Sequence, residues 1–299
     1  MAEHHHHHHH DHAHHNHGGG LRAAAALTIA FAIVEGLGGW WTGSLALLSD
    51  AGHMLTDGAA LGLGALAAWM ARRPPSQRHS YGLGRAEVVA ALVNAAAMLV
   101  IVIALAYEAI VRLNAPTAVN GGAAAAIAAV GLALNLWVIR RLHGRDMNTR
   151  AARLHVVGDA LGSVAALGAG AVIYFSGWTQ ADPLASLAIC LLIAVSSVRL
   201  LRESMHALME GVPHGLSVET IGAEMARIDG VLSVHDLHVW TLSGSRTALS
   251  AHVVVRNMGH WQRTLADLQA RLHEKFGIDH VTLQPESTIR PLVRHEARH

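Results

Sequence analysis

The sequence predicts an α-helical membrane protein with six transmembrane helices, followed by a small C-terminal α+β domain of ferredoxin-like αββαβ order. Three observations predict it. Only 14% of the 299 residues are charged while 52% are apolar, against about 25% charged in an ordinary soluble domain. The apolar residues gather into six blocks, each of roughly the 20 residues that cross a bilayer. Beyond residue 208 the pattern changes to short helical and alternating periodicities, which suit a soluble two-layer domain. A formal charge of +1, from 22 basic and 21 acidic residues, excludes the strong positive field that gathers nucleic acid. Cys190 is the sole cysteine, so no internal disulfide, CxxC pair or Cys-rich zinc knuckle forms.

Taken in order, residues 1–20 make a His-rich tail, with 11 histidines in the first 17 positions. It has no basic start and no apolar core, so it is not a secretory signal. A purification tag would stop after the uniform run. The irregular continuation through His12, His14, His15 and His17 favours a native, disordered, metal-attracting tail. Hydropathy then gives spans at Leu21 to Trp41, Ser44 to Ala71, Glu87 to Leu113, Ala123 to Ile139, Asn148 to Phe175 and Asp182 to Leu201. The fourth and sixth are short, and Arg140, Arg199 and Arg202 lengthen them by snorkelling. Arg72, Arg73, Arg78 and Arg85 lie between spans two and three, and Arg140, Arg141, Arg145, Arg150 and Arg153 around the join of four and five. The other connections carry no lysine or arginine, so both termini belong in the cytoplasm. The domain 21–208 therefore spans the membrane, and 209–299 is cytosolic. In the latter, SVETIGAEMARIDG, VLSVHDLHVWTLS, TALSAHVVV, HWQRTLADLQARLHEKFG and HVTLQPE read as α, β, β, α and β.

Chemistry concentrates in spans two and five. Each holds a His-x-x-x-Asp pair, His53 with Asp57 and His155 with Asp159, and the i, i+4 spacing puts both groups of a pair on one helical face. Two such helices facing each other make a cage of two imidazoles and two carboxylates. That donor set suits tetrahedral zinc, whereas Mg²⁺ and Ca²⁺ ask for more oxygens. A charged carboxylate at the bilayer centre costs about 2.5–3.5 kcal/mol even on lenient scales, so five ionisable groups in two helices need a task. The fifth, Asp50, shares the face of His53 and either orients it or marks the outer helix end. His53 lies about 14 Å along span two at 1.5 Å per residue. For His155 to sit at a matching depth, span five must begin near Asn148.

The stretches SLALLSDAGHMLTD, HSYGLGRAEVVAALVNA, LHVVGDALGSV, LMEGVP, VHDLHVWTLSG and SAHVVV resemble the cation diffusion facilitator family, in its bacterial zinc, cadmium and cobalt efflux branch. The resemblance runs from about Leu21 to Glu286. It implies a homodimer in the cell inner membrane whose subunits export zinc, with cadmium, cobalt or nickel as alternatives, from the cytoplasm in exchange for protons. It makes His53, Asp57, His155 and Asp159 the transport site, and implies no enzymatic activity. Zinc binds only deprotonated ligands, so loading releases protons and protonation expels metal.

In the cytosolic domain His235, His238, His252, His260 and Glu286 are metal-ligand candidates. Alternation sends His235 and His238 to opposite faces of a regular strand, which separates them. The resemblance favours His235, His252 and Glu286 as a zinc site. In the loop after span two only His79 stands where some relatives carry a further metal site, so none is expected there. Two other classes are less suited. An intramembrane metalloenzyme lacks its His-Glu-x-x-His pattern and an open coordination position, and a metal sensor or storage protein has no use for paired membrane ligands.

Overall fold

The computed structural model describes residues 17–141, 147–243 and 246–287; the His tract 1–16 lies outside them. Six long helices come first: α1 (His17–Thr42), α2 (Leu45–Ala71), α3 (Ala86–Asn114), α4 (Gly121–Arg141), α5 (Met147–Ser176) and α6 (Ala181–Leu208). Among the described residues, five are long and apolar enough to cross a bilayer. In α1 the apolar stretch found among the described residues, Ala26–Thr42, is shorter. α1 begins at His17, inside the predicted tail, and α6 runs past the predicted end at Leu201. Hydropathy falls at Arg199, Arg202 and Glu203, but these are good helix formers and the backbone hydrogen bonds continue. α7 (Val218–Ala226), β1 (Val231–Ser243), β2 (Arg246–Val255), α8 (Trp261–Phe276) and β3 (His280–Ser287) follow, in the expected αββαβ order.

The chain divides into two compact units, residues up to 59 with 97–196, and residues 60–96 with those from 197 on. In the first, the packed interior is built from small residues. Ala46, Ala124, Ala128 and Ala166 join Leu47, Met98, Val102, Ile189 and Ile193 in one cluster drawn from α2 to α6. Close approach is needed where a glycine meets another helix: a Cβ at Gly170 would stand 2.7 Å from Ala125 N on α4, and one at Gly39 would stand 3.0 Å from Leu48 N on α2. Such small-residue contacts drive helix association where lipid removes the hydrophobic driving force. Other bulky side chains turn outward, Trp40, Val100, Ile103 and Leu191 among them.

A carboxyl group from α6 fixes the start of α2. Asp182, 1% exposed, accepts hydrogen bonds from Ser44 Oγ (2.5 Å), Leu45 N (2.6 Å) and Ala46 N (3.3 Å). One turn on, the hydroxyls of Ser49 and Ser186 meet at 2.7 Å. The amides at a helix N-terminus have no intrahelical partner, so an acceptor lent by another helix both satisfies them and locks the two helices in register. Asp182→Ala is expected to destabilise the protein by about 2–3 kcal/mol, the cost of stranded buried donors, read as a lower melting temperature in detergent. Asp182→Asn, which keeps one acceptor oxygen, should recover part of it.

In the second unit, Ser217 caps α7 through Thr220 N at 3.2 Å. The sheet has the order β1-β2-β3, with β1 antiparallel and β3 parallel to β2. Leu249, Ala251, Val253 and Val255 face one side of β2 and form the core with Ile221 and Met225 of α7 and Leu268 and Leu272 of α8. The intervening Ser250, His252 and Val254 are less buried and face the other side. Both helices therefore cover one face of the sheet and leave the other open. Buried Glu224 gathers Arg227, Arg271 (3.3 Å) and Lys275 (2.8 Å). The hydrogen bond from Lys275, then the neighbouring charges, holds its carboxyl below the usual carboxylate range.

Candidate metal centres

In the membrane domain, the helical spacing of α2 stacks His53 over Asp57, with Nδ1 3.5 Å from Asp57 Oδ2. From α5, Asp159 presents Oδ1 3.7 Å from His53 Nε2. Asp159 is 1% exposed, while His53 and Asp57 are 19% and 22% exposed, so the cluster has one buried wall and an accessible side. One ligand atom from each of the three lies within 4.8 Å of the others. Tetrahedral zinc with bonds of 2.0–2.1 Å sets its ligand atoms about 3.4 Å apart, which leaves small side-chain adjustments to be made. α5 begins at Met147, giving the early start the depth argument required. His155 stands on α5 one turn before Asp159, but its side chain lies outside the described residues.

Asp50 is bonded to α5. It is 1% exposed and accepts a hydrogen bond from Ser163 Oγ on α5 (3.2 Å), while Asn135 Nδ2 on α4 donates to the same hydroxyl (3.3 Å). A polar thread thus joins α2, α5 and α4 beside the metal cluster. Gly162 permits it, since a Cβ there would overlap the Asp50 carboxyl group. Glu35 on α1 was missed by the sequence reading. It is fully buried because it falls on the α1 stripe of Phe31, Ala32, Gly39 and Thr42. The available signal was a lone carboxyl group in an otherwise apolar span.

The second cluster lies on the open face of the sheet. His235 and His252 are cross-strand partners, with ring centroids 5.2 Å apart. Glu286 of β3 spans them, accepting from His252 Nδ1 at 2.8 Å and His235 Nε2 at 3.0 Å. Those hydrogen bonds, from His252 first and then His235, hold the Glu286 carboxyl below the usual carboxylate range. The three residues can each offer one ligand atom within 4.8 Å of the others. One expectation is corrected here. The strand pairing slips between His235 and His238, and the extra residue of this bulge cancels the alternation that would have separated them. His238 therefore shares the exposed side with His235, and its Nε2 bonds Asp236 Oδ1 at 3.0 Å. Asp236, with φ 51°, adopts the left-handed backbone that Asp tolerates, and its Oδ2 stands 3.8 Å from His252 Nε2. His260 sits apart in a 3-10 turn before α8.

Comparison with known proteins follows the same division. The family model of the cation efflux transmembrane domain matches residues 21–209, and that of the cation efflux protein cytoplasmic domain matches 213–288. The chain is 43% identical over 270 residues to the zinc transporter ZitB of Escherichia coli, an alignment covering 88% of this chain and 85% of that protein. It is 38% identical over 267 residues to the cadmium, cobalt and zinc/H(+)-K(+) antiporter of Bacillus velezensis, covering 86% and 84%. Among solved structures, the metal-bound C-terminal domain of the CzcD transporter is 33% identical, covers 24% of this chain and 99% of that chain, and has a TM-score of 0.23.

Proposed function

The chain belongs to the cation efflux family, a family of transporters and not of enzymes, and from that premise we propose that it exports zinc from the cytoplasm by exchange with protons. The observation that carries this reading is the meeting of His53 and Asp57 with Asp159 inside helices that are apolar enough to cross a bilayer. His155 completes the set as the second imidazole. The names of the two relatives, a zinc transporter and a zinc antiporter, support the choice of cargo and of coupling. Cadmium, cobalt and nickel suit the same mixed nitrogen and oxygen donors.

The coupling follows from the ligands. Each must be deprotonated to bind metal, so zinc entering the cage from the cytoplasm displaces protons, and protons entering from outside displace zinc. α2 and α5 each contribute half of the cage. A relative movement of the two would open it to one side or the other, and the Asp182 lock makes α6 travel with α2. In this reading α1 spans the membrane as the sixth helix, the protein lies in the inner membrane with both termini in the cytoplasm, and the subunits pair as a homodimer. The cytoplasmic-domain family model is described as a domain of cation efflux proteins and matches residues 213–288 here.

His235, His252 and Glu286 are assigned as a zinc site of the cytosolic domain. Their fit is chemical: two imidazoles and a carboxyl group converge on an open face with the acceptor already between the rings. Bound there, zinc supplies a fixed positive charge that ties β1, β2 and β3 together. Residues from Met209 on, expressed alone, are expected to bind zinc, and His252→Ala should weaken that binding by about a hundredfold or more, measured by calorimetry. Unchanged zinc stoichiometry and affinity would make His252 structural. The transport reading itself is tested by metal flux into proteoliposomes across zinc, cadmium, cobalt, nickel and manganese. Zinc should be carried and manganese, which prefers oxygen donors, should not.

A further inference from the structure

The last turns of α2 and the first turns of α3 border a cavity of about 690 Å³ that the transport reading does not use. Its walls are apolar, with Leu63, Leu66 and Met70 from α2 and Val89 and Val93 from α3. Leu66, Val89 and Val93 are exposed, so the cavity opens along the flanks of two helices that are apolar enough to cross a bilayer. From Leu63 to Met70 it follows α2 for about 10 Å at 1.5 Å per residue. The mouth has a different chemistry. Arg78, Tyr81 and Arg85 of the segment joining the two helices line it. Arg85 is held by Glu210 at 2.8 Å, whereas Arg78 is exposed and makes no ion pair among the described residues. Glu87 is the one acidic residue between positions 60 and 96, against Arg72, Arg73, Arg78 and Arg85. The Arg73 guanidinium lies 4.2 Å over the Trp69 ring, and Trp and Tyr settle at the headgroup level of a bilayer. The joining segment is a closed turn. Ser76 and His79 exchange backbone hydrogen bonds at 3.0 and 3.1 Å, and Gly82 N donates to His79 O at 2.9 Å, so the backbone that carries Arg78 is tied in place.

An apolar channel in the bilayer that ends at arginines matches a molecule with a hydrocarbon chain and a negative head. Resting on α2 and α3 as membrane spans, we infer that the cavity is a site for an anionic phospholipid, with one acyl chain along Leu66 and Val93 and the headgroup phosphate at Arg78. The guanidinium presents a planar fork of donors that fits phosphate oxygens, and basic residues beside a span draw anionic lipids. The closed turn lowers the ordering cost of binding. Charge decides against a second copy of the chain as the occupant. A two-fold interface centred on the groove sets the same surface against itself, arginines included, and like charges so placed oppose association. A soluble anion satisfies the mouth and leaves the apolar walls uncovered, whereas the lipid satisfies both.

The experiment titrates the full-length protein in detergent with dioleoylphosphatidylglycerol or dioleoylphosphatidylcholine and counts bound lipid by native mass spectrometry. The two lipids share their chains and differ in head charge. The wild type is expected to bind phosphatidylglycerol at least fivefold more tightly, and Arg78→Gln to weaken that lipid about fivefold, the weight of one arginine near an anionic surface, while leaving phosphatidylcholine unchanged. Val93→Trp, which fills the groove, should weaken both lipids alike by about tenfold, the worth of about two buried methylenes. Equal binding of the two lipids by the wild type overturns the proposal, and so does unchanged phosphatidylglycerol binding in Arg78→Gln. Displacement of the lipid by millimolar inorganic phosphate makes the mouth a soluble-anion site and is a contrary result. A dimer that becomes monomeric in Val93→Trp, read by light scattering, makes the groove a seam between subunits, which is another. Should Val93→Trp not fold, the wild-type comparison and the exposed Arg78→Gln decide the matter. None of these readouts is a zinc flux, so failure here leaves the transport reading to its own test.

Discussion

Asp159→Ala is expected to abolish zinc transport in reconstituted vesicles while the protein still inserts and purifies as a folded species, and Asp57→Ala should do the same. Four-ligand zinc sites have apparent binding free energies of about 10–16 kcal/mol, so losing one ligand of four removes several kcal/mol, a factor of roughly a thousand in affinity. Asp159 carries the larger burden, because it is the buried wall of the cluster and the link from α5 to His53. Zinc flux and zinc binding, measured on the purified variant beside its melting temperature, separate a lost ligand from a lost fold. Near-normal flux in either variant contradicts the assignment. His53→Ala should weaken transport less completely and admit manganese, since imidazole nitrogen is what favours zinc over metals that prefer oxygen.

Much of this architecture was legible because the bilayer imposes long apolar blocks, and the His-x-x-x-Asp spacing needs nothing but a regular helix to bring its two groups together. The order of the cytosolic elements was legible for a similar reason, since β2 alternates cleanly between core and open face. What stayed hidden depended on departures from regularity or on contacts between distant segments. His235 and His238 were assigned to opposite faces by strand period, and a single bulged residue overturned that. Asp236, at the bulge, is a poor strand former between two histidines, which was the only local hint. Asp182 reads in sequence as an acidic residue at the start of its own helix, yet it serves the start of α2, 136 to 138 positions away. The partner of Asp50 proved to be Ser163, 113 positions along the chain, a pairing no spacing rule gives. α6 outran its predicted end because hydropathy reports the bilayer and not the helix.

The direction of the proton force is the second large expected effect. Protons and zinc compete for the same imidazole nitrogens and carboxyl oxygens, so zinc affinity at either opening should fall as the pH there falls. Acid on the outer side therefore empties the cage outward, and the more alkaline cytoplasmic side lets it refill. A pH difference alone should then do work on zinc, and reversing that difference should reverse the flux.

The most direct test is net zinc movement in proteoliposomes that begin with equal zinc on both sides and only a pH difference imposed. Zinc should accumulate in the acidic compartment, against its own gradient, as protons leave it. No net zinc movement, or zinc travelling in the same direction as the protons, would contradict antiport.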